Sequence, residues 1–310
     1  MNIVFMGTPL FSVPSLEKLI GSKKHNVLAV FTKPDKINKR GGKIEFSEVK
    51  KVAIEHSIPV YQPESLKCTN AYEYLEKLNP DLILVVAYGK ILPENILKLP
   101  KYGCINVHGS VLPMYRGAAP IQRAIINGDK ETGVTTIYMD KGMDTGDILL
   151  TKKVEITDGD SAKSMFEKLS MTGANLLLET LDGVLEGTIN RIKQDDSKAT
   201  YAAPLSKEEA HITWGDKTSI DIFNLVRGMD AGPVAYTFLG GKRIKIFRAR
   251  VFESKEYTKK PGTVLSESPL VVACKDGTIL EILELQAENK KRMLAKDFVI
   301  GNKILGKRLS

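Results

Sequence analysis

The opening of the chain constrains its fold most. Asn2–Met6 (NIVFM) is a short apolar run, and Val27–Phe31 (VLAVF) is another. Between them, Ser12–Ile20 reads as a helix with Pro14 near its first turn. Two apolar strands separated by one helix predict a crossover unit, so the strands should lie parallel in one buried sheet. Leu82–Tyr88 (LILVVAY) is the strongest strand signal in the chain, and its continuous apolar character predicts cover on both faces. Helices over Ser47–Glu55, Ala71–Leu78, Ile91–Leu99, Ala119–Asn127 and Ser161–Gly187 continue the alternation. Strands at Cys104–His108 and Thr135–Asp140 complete it. The predicted class is α/β, beginning with a Rossmann-like, mostly parallel sheet domain.

The pattern changes after the long helix. Asn190–Glu208 is polar, contains Pro204 and has little periodicity, which reads as a linker. Beyond the amphipathic stretch Ser219–Met229, short alternating runs follow at Ala235–Leu239, Arg243–Phe252, Gly262–Ser266, Leu270–Cys274 and Thr278–Leu285. Asp276-Gly277 is a hairpin-turn signal. Short strands with tight turns predict a small OB-like β-barrel. The expected division is therefore a catalytic domain over 1–189, a linker over 190–208 and a C-terminal domain over 209–310.

Charge separates the two parts. The formal net charge is +8, and residues 206–310 supply +6 of it, from 19 Lys and Arg against 13 Asp and Glu. A basic C-terminal third suits an anionic partner, and also suits a merely solubilising surface. Thr32–Phe46 adds a second basic stretch, with Lys33, Lys36, Lys39, Arg40 and Lys43, directly after the second strand. It should therefore lie on the ligand side of the sheet, as a nucleic-acid backbone clamp or as a solvated loop.

Several functional classes are excluded. A dinucleotide turn needs GxGxxG after the first strand, but only Gly7 is present, which argues against nicotinamide and flavin enzymes. Cys68, Cys104 and Cys274 are odd in number and widely spaced, so neither a disulfide framework nor a zinc site is expected. That usage fits a reducing, cytoplasmic setting. No signal-peptide pattern opens the chain, and no apolar run is long enough to span a bilayer.

The candidate chemistry lies at Cys104–Pro120 (CINVHGSVLPMYRGAAP) and Asp140–Asp147 (DKGMDTGD). Strand alternation puts Asn106 and His108 on one face and Ile105 and Val107 on the other. An amide can donate to an oxyanion, an imidazole can move a proton, and a carboxylate such as Asp144 can orient that imidazole or hold a water. Ser110 lacks a G-x-S-x-G context, so this set suits direct acyl transfer rather than a covalent acyl-enzyme. Each residue also has an ordinary structural reading: His108 as a hydrogen-bonding strand residue, Asn106 and Asp144 as turn residues.

Asn106-Val107-His108 followed by Gly109–Pro113 resembles the HGSLLP region of the formyltransferases that use 10-formyltetrahydrofolate. Asp140–Asp147 resembles that family's D-x-G-x-D-T-G-D stretch. Val4–Pro9, Tyr115–Gln122, Ala199–Ala202, Lys290–Met293 and Asp297-Phe298 fit the branch that formylates the methionyl group of initiator tRNA. Val111 stands where the family usually has Leu, and Glu48 where Pro is common. The resemblance implies catalysis by Asn106, His108 and Asp144. It implies folate contacts from Ser110, Val111, Leu112 and Pro113, with the pterin near Val86, Tyr88, Gly89, Ile91 and Leu92. Transfer from 10-formyltetrahydrofolate to the α-amine of methionyl-tRNA would pass through a tetrahedral oxyanion, with no metal. Lys39, Arg40, Lys43, Arg243, Lys290, Lys291 and Arg292 would hold the tRNA. A monomer acting in the cytoplasm is expected. The alternatives are a formyltransferase acting on a small amine and a non-catalytic tRNA-binding OB protein.

Overall fold

The apolar runs of the first part become seven strands of one sheet: β1 (Asn2–Gly7), β2 (Asn26–Phe31), β3 (Val60–Tyr61), β4 (Leu82–Val86), β5 (Cys104–His108), β6 (Glu131–Tyr138) and β7 (Ile148–Glu155). The computed structural model describes residues 1–37, 44–252 and 257–310. Lys39, Arg40 and Lys43 lie outside the described residues. The strand order is β7-β6-β5-β4-β1-β2-β3. β1 pairs in parallel with β2 and β4, β2 with β3, and β4 with β5, whereas β6 runs antiparallel to β5.

The middle strands are apolar throughout because both of their faces are covered. Ile3, Val4, Phe5 and Met6 of β1 are fully buried, as are Leu82, Ile83 and Leu84 of β4. The crossovers carry α1 (Val13–Gly21), α2 (Glu48–Glu55), α3 (Thr69–Leu78) and α4 (Glu94–Leu97). Ser47 caps α2 by accepting a hydrogen bond from the Lys50 amide at 3.1 Å. From β1 the chain winds outward to β2 and β3, then returns to β4 on the other side. The order therefore reverses between β1 and β4, and open α/β sheets bind ligands outside the carboxyl ends of strands at such a point. Gly7 closes β1 there. A Cβ on it would meet the Phe5 ring at 2.7 Å and Ser12 at 2.9 Å, and the Ser12 hydroxyl donates to the Val86 carbonyl at 2.6 Å.

These strands belong to a first unit made of Met1–Gly117, Thr132–Glu155 and Phe166–Tyr201. The second unit comprises Ala118–Glu131, Ile156–Met165 and Ala202–Ser310. It contains α5 (Pro120–Ile126) and the start of α6 (Ala162–Glu186). It continues with α7 (Ser219–Gly228), β8 (Tyr236–Leu239), β9 (Lys242–Val251), β10 (Val264–Glu267), β11 (Leu270–Ala273), β12 (Ile279–Ala287), β13 (Met293–Leu294) and α8 (Ala295–Ile300). The strand order is β8-β9-β12-β11-β10, with β13 also on β12, and these strands pair antiparallel. Arg308 bridges Thr263, and Leu309 bridges Leu239, so the last residues link the two edges of this sheet into a barrel-like wall. Trp214, Ile222, Ile246, Val272, Leu280, Ile282 and Phe298 fill its core. A capping box between Thr218 and Asp221 starts α7.

Some short elements have no counterpart in the sequence reading. Lys36–Ile37 pairs antiparallel with Ile44–Glu45 inside the stretch expected as a loop. Two residues per strand are too few to show a period. The helix α8, at six residues, spans fewer than two turns and gives only a weak helical period.

Candidate active site

β5 delivers Asn106 and His108 to the site. Its alternation sends Ile105 and Val107 into the core, and Gly109-Ser110 ends the strand. The chain then folds back on itself. Ser110 donates to the Met114 carbonyl at 2.6 Å. Thr135 of β6 donates to the Ser110 carbonyl at 2.7 Å and accepts from the Leu112 amide at 3.2 Å. This return places the Tyr115 carbonyl 2.9 Å from His108 Nε2. A carbonyl oxygen can only accept, so the contact puts a proton on Nε2. Nδ1 is thereby directed to Asp144, whose Oδ2 lies 3.5 Å away.

Asp144 comes from the turn between β6 and β7. Asp140 organises that turn, its Oδ1 accepting from the Gly142 amide at 2.9 Å and from the Thr145 hydroxyl at 2.6 Å. Asp144 itself is left-handed, with φ +56°, a conformation that costs a non-glycine residue roughly 1–3 kcal/mol. Its carboxylate is well supplied with donors. Oδ2 accepts from the Gly117 amide at 2.8 Å, and Asn106 Nδ2 lies 3.4 Å from Oδ1. The structure therefore brings together all three residues singled out in the sequence. One carboxylate faces both an amide and an imidazole.

The expected folate residues divide by exposure. Gly89 and Ile91 are exposed, the latter at 78%, while Val111 and Pro113 are half-buried. Val86, Tyr88, Leu92, Ser110 and Leu112 are buried. Tyr88 is the exception among these, because its hydroxyl is buried with no hydrogen-bond partner among the described residues. Burial pushes this phenol up to about 12, so it is a pure donor and acceptor at neutral pH. Lys33 lies against Gly89, where a Cβ would meet its Nζ at 2.5 Å. Burial, then the charge of Lys33, lowers the Lys90 ammonium below its ordinary range.

On the second unit, Arg243, Lys290, Lys291 and Arg292 are all exposed. Arg292 is already engaged. Its Nε and a terminal nitrogen reach the two Glu284 oxygens at 2.5 and 2.6 Å, and it lies over the Phe247 ring. The Arg292 guanidinium in turn holds the Glu284 carboxyl below its usual range.

The chain matches two protein-family models, "Formyl transferase" over residues 1–181 and "Formyl transferase, C-terminal domain" over residues 204–303. The chain belongs to the formyl transferase family. Within it, the methionyl-tRNA formyltransferase of Caldanaerobacter subterraneus subsp. tengcongensis is 49% identical over 98% of both chains. That of Thermodesulfovibrio yellowstonii is 48% identical over 98% of this chain and 96% of its own. Among solved structures, a methionyl-tRNA formyltransferase from Clostridium thermocellum superposes with a TM-score of 0.58 at 22% identity, covering 82% of this chain and 95% of that one. WlaRD, a sugar 3N-formyl transferase, gives 0.66 at 20% identity over 94% and 99%. At those identities the structures establish the shared fold.

Other residues around this candidate site were not read from the sequence. Thr135 holds the return after β5 and the Gly117 amide holds Asp144, while Gln194 and Arg116 lie behind Asp144. Thr135 sits inside an apolar strand, and Gln194 falls in the stretch expected as a linker. Neither has a local signal. No group of three or more His, Cys, Asp or Glu residues suited to a metal occurs among the described residues. No helix among them is long and apolar enough to cross a membrane.

Proposed function

We propose that this chain transfers the formyl group of 10-formyltetrahydrofolate to the α-amine of methionyl-tRNA, giving formylmethionyl-tRNA for translation initiation. The observation that carries this reading is the convergence of Asn106, His108 and Asp144 at the carboxyl end of β5. Full-length relatives named for that reaction, 45–49% identical, give the acceptor. The folate supplies an activated formyl carbon. Asn106 provides an N–H donor beside the position where the carbonyl oxygen gains charge. The amine attacks, its new C–N bond forms, and the bond from carbon to N10 breaks as the tetrahedral oxyanion collapses. His108 is held by Tyr115 through Nε2, which leaves Nδ1 to exchange a proton on the Asp144 side. Asp144 orients that ring and relays the amine's proton toward the departing nitrogen. We assign the Tyr88 hydroxyl, which has no hydrogen-bond partner among the described residues, to a polar edge of the heterocycle.

In this reading Ser110–Pro113 and Val86–Leu92 form the folate wall. Lys39, Arg40, Lys43, Arg243, Lys290, Lys291 and Arg292 grip tRNA phosphates, which position rather than specify. We assign catalysis to residues 1–189, a linker to 190–208 and tRNA binding to 209–310, in a monomer acting in the cytoplasm. The test incubates the protein with 10-formyltetrahydrofolate and either methionyl-tRNA or small amines. Formylated product with methionyl-tRNA alone is expected. Product with a sugar amine or another small amine instead would reassign the acceptor, and binding of tRNA without any product would make the chain a binding module.

A further inference from the structure

We propose that Gln194 is a positioning residue for formyl transfer, acting with Arg116 to fix Asp144. The proposal rests on the catalytic reading of Asp144 above. Gln194 is 7% exposed and Arg116 2%. The Gln194 carboxamide is used at both ends. Its Nε2 donates to the Asp144 carbonyl at 2.8 Å and to the Gly146 carbonyl at 2.7 Å. Its Oε1 accepts from Arg116 Nε at 3.0 Å and from an Arg116 terminal nitrogen at 2.8 Å. Both amide protons and both oxygen lone pairs are thus engaged.

The geometry forms a closed ring. The residue after Arg116 is Gly117, whose amide donates to the Asp144 carboxylate. From that carboxylate the ring runs through Gly117 to Arg116, across to Gln194, and back to the Asp144 main chain. Asp144 is therefore held at side chain and backbone by one buried connection. Such holding is needed because its backbone is left-handed and its carboxylate must stay within reach of His108 Nδ1. Arg116 is anchored in turn by Asp196 at 2.8 Å, two residues beyond Gln194. A polar stretch without periodicity thereby contributes to the reaction centre.

The roles of stability and position separate in Gln194→Glu. A carboxylate still accepts from Arg116, and more strongly, but it presents an oxygen to the Asp144 and Gly146 carbonyls in place of the NH2. Expected for this variant are a native fold by circular dichroism, KM for folate and for methionyl-tRNA within about twofold, and kcat lower by about 10²-fold, the size of a 1 Å misplacement. Asp144→Asn sets the reference. Because Gln194 acts through Asp144, the double variant should be no slower than Asp144→Asn alone. Gln194→Met, which keeps the side-chain length and removes the polar ends, should follow Gln194→Glu in kcat even if its Tm falls. If Asp144→Asn loses turnover while Gln194→Glu keeps it within about threefold, or if the two losses multiply, the positioning role is overturned. If Asp144→Asn itself turns over normally, the catalytic reading fails instead.

Discussion

A single oxygen atom sets the first expectation. The Tyr88 hydroxyl is buried and has no hydrogen-bond partner among the described residues, and a buried hydroxyl left unpaired costs stability. Tyr88→Phe should leave Tm unchanged or raise it, and should weaken folate binding by about 1 kcal/mol if the ligand supplies the missing bond. A Tm drop in thermal melts would show that the hydroxyl is satisfied within the protein. At the reacting centre, Asn106→Ala and His108→Ala should each lower kcat by about 10²-fold or more with the fold intact, checked by single-turnover transfer and circular dichroism. His25 carries the pH expectation. It is buried, and burial lowers its imidazole below the ordinary 6.5, helped by the amino terminus and Lys24 and opposed by Asp182. The unfolded chain then binds this proton at a higher pH than the folded one. Stability from this group is complete above about 6.5, falls as pH drops through that value, and levels off below the folded pKa. Urea unfolding between pH 8 and 5 should show the loss, and His25→Gln should flatten it.

At the scale of elements, the turn joining β6 to β7 carries the site, and its geometry leaves no room at Gly146. A Cβ there would run into the Tyr138 carbonyl. Gly146→Ala should therefore displace the turn, destabilise the protein by about 1–3 kcal/mol in denaturant unfolding and lower kcat through Asp144. Retention of full activity would show that the turn adapts without moving the carboxylate. This turn also marks how far the sequence could be read. The strand Cys104–His108 is legible in full, because a two-residue period with apolar residues on one face is a local signal. The meeting of His108 with Asp144 is not local, since it depends on β6 lying antiparallel to β5 with His108 opposite Thr135. Motif resemblance paired the two residues where periodicity did not. Arg116 lies in a stretch that carries the resemblance but received no role from it, and Gln194 had neither kind of signal. The contact between them joins residues 78 apart through side chains alone, so no backbone period reports it.

For the molecule as a whole, the excess of positive charge makes the interaction with tRNA the property to measure. Residues 206–310 carry +6 of the net +8, yet not every cation there is available. Arg250 is held by Glu281 at 2.6 Å, and Arg292 by Glu284 through two hydrogen bonds. Lys290 and Lys291 are exposed; among the described residues neither makes an ion pair, and the Arg243 guanidinium has only the Tyr236 ring, 5.7 Å away. A cation that must first leave a carboxylate contributes less to phosphate binding than a free one, because the phosphate replaces an ion pair rather than water. Each free cation that contacts a phosphate releases a counterion and steepens the dependence of log K on log salt by about 0.7–0.9. Lys290→Ala, Lys291→Ala and Arg243→Ala should each reduce the salt slope of methionyl-tRNA binding by about that amount and raise KM for tRNA, with kcat and folate KM unchanged. Arg292→Ala should change the slope by less than half as much. Equal slopes for Arg292 and Lys291 in binding titrations from low to high salt would mean that the Glu284 pair opens in the complex, and that the basic surface is set by total charge rather than by which cations are free.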